Sequence, residues 1–151
     1  MPQSLEEVEK EAQRFFQEIK DSSQKLTKQP DIVQNCTLYD YQLEGVNWLI
    51  ALRENKLNGI LGDEMGLGKT LQSLTMLGYL SEVQKSKGPF LIIAPLSTIG
   101  NWANEITRFL PSLSYERYIG NKQEREDKRA NIVQFIMQQP KEKRKKPDLP
   151  F

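Results

Sequence analysis

Histidine is absent from the 151 residues, and cysteine occurs once, at Cys36. The first absence removes the side chain best suited to acid–base work near neutral pH and the commonest metal ligand. The second excludes an internal disulfide and fits a reducing compartment. No apolar run approaches the length of a membrane span, and the N-terminus lacks a signal-peptide core. The expectation is a cytosolic or nuclear chain with no membrane partner. Neither sign of charge dominates, since 21 Lys and Arg stand against 20 Asp and Glu. Composition therefore does not announce a nucleic-acid binder. No internal repeat is visible, and the length suits one domain.

What is present is the run Asp63-Glu64-Met65-Gly66-Leu67-Gly68-Lys69-Thr70. It lies between a short apolar run, Gly59-Ile60-Leu61, and a helical pattern that begins at Leu71. That is the strand–loop–helix setting of a phosphate-binding loop. Glycines allow backbone N–H groups to turn inward around phosphate oxygens. The helix that follows aims the positive end of its dipole at the same anion. Lys69 is the candidate catalytic residue, with its ammonium on the outer phosphates, and Thr70 is the candidate Mg2+ ligand. Asp63 stands where the strict pattern has Gly, but the tail from Gly66 to Thr70 is intact. The plainer alternative is a Gly-rich turn before a helix.

The rest of the chain reads as alternating elements. Ser4 and Glu7 form a capping-box pattern, and Leu5, Val8, Ala12, Phe15 and Ile19 recur on one helical stripe. This helix suits packing on the body of the protein or a helical partner binding residues 4–20. Gln29 to Thr37 reads as a connecting segment. Helices are expected over 38–53, from Leu71, from Ile99 to Phe109, and over 123–138. Strands are expected at 58–61, at 90–94, where Phe90 to Ala94 is unbroken apolar, and at 115–119. Strand and helix in alternation imply an α/β fold with a parallel sheet flanked by helices. The phosphate loop would then lie at the carboxyl end of the first strand. Lys141 to Lys146 is a charged run, readable as a nuclear-import signal, a DNA-contacting patch or a solvated loop.

Three ordered blocks add a resemblance. Leu38 to Leu49, with Tyr41-Gln42-Leu43-Glu44-Gly45, Asn58 to Thr70, and Ala94-Pro95-Leu96-Ser97-Thr98 with Asn101-Trp102 resemble the first motor lobe of SWI/SNF-type chromatin-remodelling ATPases, within helicase superfamily two. Gly88 to Leu91 and Pro95 to Thr98 are most similar to the lymphoid-specific helicase group, then to the imitation-switch group. Departures are Tyr39 and Asp40, where the family usually has Arg and a small residue or Pro, and Gly62, where it has Ala. The resemblance implies a partial RecA-like phosphate-loop lobe over 38–151, after an N-terminal helix in 1–30 and a linker over 31–37. It implies ATP and Mg2+ as cofactors, held by Gln42 on adenine and by Asp63, Glu64, Met65, Gly66, Leu67, Gly68, Lys69 and Thr70 on the phosphates. Pro95, Leu96 and Ser97 match the segment that touches the DNA backbone. Duplex DNA and nucleosomes are the implied partners, in the nucleus.

Hydrolysis needs a second acidic motif and an arginine finger. The only Asp-Glu pair is Asp63-Glu64 itself, so the expectation is a fragment that binds ATP without turning it over. A small kinase with the same loop leaves the Gln42 and Pro95 blocks unexplained. A non-catalytic interaction module with a vestigial nucleotide site is the remaining alternative.

Overall fold

The computed structural model describes residues 4–22 and 25–138. The charged run 141–146 and the stretch 148–151 lie outside them. Among the described residues five helices form: α1 Leu5–Ser22, α2 Asp40–Glu54, α3 Lys69–Glu82, α4 Leu96–Phe109 and α5 Lys122–Gln138. Their ends follow local chemistry. At α1 the expected capping box closes both ways: Ser4 N–H donates to Glu7 Oε2 (3.1 Å), and Glu7 N–H donates to Ser4 Oγ (3.3 Å). Asn121 and Glu124 make the same exchange before α5. α2 ends in paired bonds, Leu57 N–H to Leu52 O and Lys56 N–H to Arg53 O, with Lys56 at φ 58°. That is a Schellman closure with lysine in the left-handed position that favours glycine.

α3 is the central element, flanked by α2 and α4. On one side Leu74 packs with Val33 and Leu110, bordered by Trp102, Ile106, Leu77 and Ile92. On the other, Tyr79 packs with Val46 and Ile50, bordered by Leu26, Met76 and Leu80. Leu38 touches both groups. Burial pushes the Tyr79 hydroxyl above its ordinary value, and pushes the Cys36 thiol up in the same way.

The segment before α2 belongs to this core. Val33 and Pro30 are buried. The Glu82 carboxylate, at the end of α3, accepts from Asp31 N–H (3.1 Å) and Ile32 N–H (2.6 Å). Gln34 N–H donates to Phe109 O, and Asn35 Nδ2 donates to Arg108 O (2.8 Å). Gln29 binds Val33 O, Cys36 O and Leu38 N–H with its one amide.

The expected α/β fold is not observed. Among the described residues there is no strand and no sheet, so the chain is helical rather than a parallel-sheet RecA-like lobe. The runs at 58–61, 90–94 and 115–119 are irregular, and no described backbone hydrogen bond joins any two of them. An apolar run reports a wish to leave water; a strand exists only when a neighbouring backbone pairs with it. Here Ile92 finds the Leu74 cluster, while Leu91 and Ile93 stay 84% and 87% exposed. One face of that run is half-buried without any ladder.

Candidate nucleotide site

The loop between 62 and 68 is built by two left-handed glycines. Gly66 has φ 89° and Gly68 φ 78°, and Gly68 is the residue from which α3 starts. Side chains rarely adopt such angles, so both positions favour glycine. Nothing lies within 4 Å of where a Gly66 Cβ would stand, so the loop is open on that side. At Gly68 a Cβ would collide with the Gln42 amide nitrogen.

Lys69 turns back into the loop. Its Nζ donates to Asp63 O and Glu64 O, both at 2.7 Å. Thr70 follows in the first turn of α3, half-buried. Glu64 and Met65 are exposed at the tip. Ammonium, helix start and open glycine turn therefore share one place.

Gln42 reaches the loop from α2. Its Oε1 accepts from Tyr39 N–H (3.0 Å), and its Nε2 donates to Leu67 O (3.1 Å). It is buried, with the stacked rings of Tyr39 and Tyr41, centroids 5.7 Å apart, beside it in sequence. Pro95, Leu96 and Ser97 are exposed at the start of α4, where Thr98 N–H and Thr98 Oγ1 both bond to Pro95 O at 2.9 Å. No described hydrogen bond connects them to the loop. Among the described residues no group of three or more acidic or thiol side chains is disposed to hold a metal ion.

One residue at the loop escaped the sequence reading. Gln72 is fully buried, and its Nε2 donates to Asp63 Oδ2 (3.0 Å) and reaches Leu67 O at 3.4 Å. Its Oε1 has no hydrogen-bond partner, nor does the buried Thr75 Oγ1. Gly45 of α2 faces that Oε1, which a Cβ there would strike. The signal was the stripe Gln72, Thr75, Tyr79 at helical spacing of three and four. Counting only the leucines of α3 passes over it.

Comparison with known proteins now adds a frame. A family model described as the SNF2-related domain matches residues 41–146. Over 110 residues the chain is 51% identical to the "Probable chromatin-remodeling complex ATPase chain" of Oryza sativa subsp. japonica, covering 73% of this chain and 10% of that protein. It is 45% identical over 130 residues to an "ISWI chromatin-remodeling complex ATPase" of Arabidopsis thaliana, covering 83% and 12%. It is 46% identical over 123 residues to "Nuclear protein STH1/NPS1" of Saccharomyces cerevisiae, covering 82% and 9%. The chain thus spans about a tenth of the length of these curated relatives.

Proposed function

The chain belongs to the SNF2-related domain family, and from that premise we propose that it is the ATP-binding part of a nuclear, ATP-dependent DNA translocase that remodels chromatin. One observation carries the reading: the Lys69 ammonium is folded into a loop turned by Gly66 and Gly68 at the head of α3. The carbonyls it now holds are neutral acceptors. Phosphate oxygens are charged, and hydrogen bonds to them are roughly twice as strong. A triphosphate entering the open side at Gly66 would therefore draw the ammonium off Asp63 and Glu64.

The remaining roles belong to the same proposal. Gln42 stands beside the loop with its amide engaged by Tyr39 N–H and Leu67 O, and would meet an adenine edge with its second N–H and its remaining lone pair. Thr70 would hold Mg2+, which supplies charge neutralisation on the phosphates when bound. Pro95, Leu96 and Ser97 open α4, whose first N–H groups and Ser97 hydroxyl suit a DNA phosphate without reading sequence. In the full motor, duplex DNA and nucleosomes are the partners, and movement along duplex is the action. Leu5 and Val8, exposed on α1, suit a helical partner for residues 4–20.

Titration of the chain with a fluorescent ATP analogue and Mg2+ tests this. Saturable binding is expected, lost in Lys69→Ala. Turnover by the chain alone is expected to stay at background, because Asp63-Glu64 is its only Asp-Glu pair. Equal null titrations for folded unaltered and Lys69→Ala chains would overturn the nucleotide role. Turnover abolished by Lys69→Ala would overturn the expected inactivity.

A further inference from the structure

We propose that Gln72 is a positioning residue for the nucleotide, setting the span of the phosphate loop by holding both of its ends; this rests on the nucleotide reading above. Gln72 sits one turn into α3, fully buried. Its single Nε2 donates to the Asp63 carboxylate at the loop's entry and reaches the Leu67 carbonyl at its exit. Between those two anchors lie Glu64, Met65 and Gly66, three of the residues assigned to the phosphates. A residue that fixes both anchors fixes the curvature between them.

Three features make this more than core packing. The orientation of the amide is dictated, because a carboxylate facing it accepts only a donor. Its Oε1 is left without a hydrogen-bond partner, a cost that an apolar side chain of similar shape would avoid. Gly45 on α2 leaves the room that this oxygen occupies: its missing side chain would overlap Oε1 and come within 3.1 Å of Cδ. Two helices and the loop are thus arranged around one amide. Leu67 O also accepts from Gln42, so the base-side and phosphate-side glutamines meet at one carbonyl.

The test uses the whole chain, the fluorescent ATP analogue with Mg2+, and thermal melting alongside. Gln72→Glu keeps the shape but sets a carboxylate against Asp63. Affinity is expected to fall about tenfold, the size of one hydrogen bond with a charged partner. Gly45→Ala, which displaces Gln72 without touching the loop, is expected to weaken binding in the same direction. Adding Asp63→Asn to Gln72→Glu restores a donor–acceptor pair with its polarity reversed, and is expected to recover most of the loss. A purely structural role would lower melting temperature and leave the Kd of the folded chain unmoved. The proposal is overturned if Gln72→Glu and Gly45→Ala bind like the unaltered chain while Lys69→Ala does not. It is also overturned if the reversed pair recovers nothing. Absence of binding by the unaltered chain overturns the nucleotide reading and this proposal together.

Discussion

Gly78 lacks a side chain because three others already fill the place one would take. A Cβ there would meet Ile32 at 3.0 Å, Val33 at 3.1 Å and Leu110 at 3.2 Å. Gly78→Val is expected to destabilise by about 1–3 kcal/mol through overpacking, read from urea denaturation. Cys36 lies at the edge of the same cluster. Burial raises its thiol above the ordinary 9.0, with Arg108 acting weakly in the other direction. The raised value means that the neutral thiol favours the fold. That contribution is complete below the unfolded thiol's value and is lost as pH rises through the higher folded one. Iodoacetamide at pH 8 is expected to label Cys36 more slowly in the folded chain than in urea. Equal rates would contradict the burial. At this scale the sequence was informative where chemistry is local: Ser4 with Glu7, and Gly66 and Gly68 before Lys69. It was silent on Gln72, because a glutamine's worth there depends on Asp63 and Gly45, which only folding brings near.

Helices were legible as elements because each carries its own hydrogen bonds and its own stop signals. Pro111 follows the end of α4, and the apolar stripe Trp102, Ile106, Phe109 of that helix does pack on the core. Strands were not legible, since pairing is a relation between distant segments and apolarity alone does not supply the partner. The order of elements was right for the helices and wrong for the sheet inferred between them. Two tests belong here. Lys85, just past α3, sits at φ 54°. Lys85→Gly removes the steric cost of that conformation and is expected to stabilise by about 0.5–1 kcal/mol. Glu82→Ala leaves the Asp31 and Ile32 amides without their carboxylate and is expected to cost about 1.5 kcal/mol. Both are measured by the shift in denaturation midpoint.

For the molecule as a whole, apolar side chains stand in water where a sheet was expected to bury them. Ile60, Leu91, Ile93 and Leu96 are each at least 75% exposed. Isolated exposed leucines are ordinary, but this number in the segments around the glycine loop and the start of α4 favours self-association. Sedimentation is expected to show concentration-dependent association, reduced by Leu91→Lys with Ile93→Lys at unchanged melting temperature. Infrared amide bands are expected to be helical, with no sheet component among folded molecules. A strong sheet band would contradict the fold described above. Family membership, by contrast, was legible from three short blocks in their order, because a match of residue types along the chain does not depend on which backbone structure lies between them.

The bonds from Glu82, Phe109 and Arg108 to residues 31–35 decide where this polypeptide can be cut. Trimming it back to Leu38, the visible start of the family-like sequence, would strip away Pro30 and Val33 and remove two of the three side chains packed at Gly78. A protease given the intact protein should find little purchase between Asp31 and Thr37, and the shortest piece that still folds should begin ahead of Gln29.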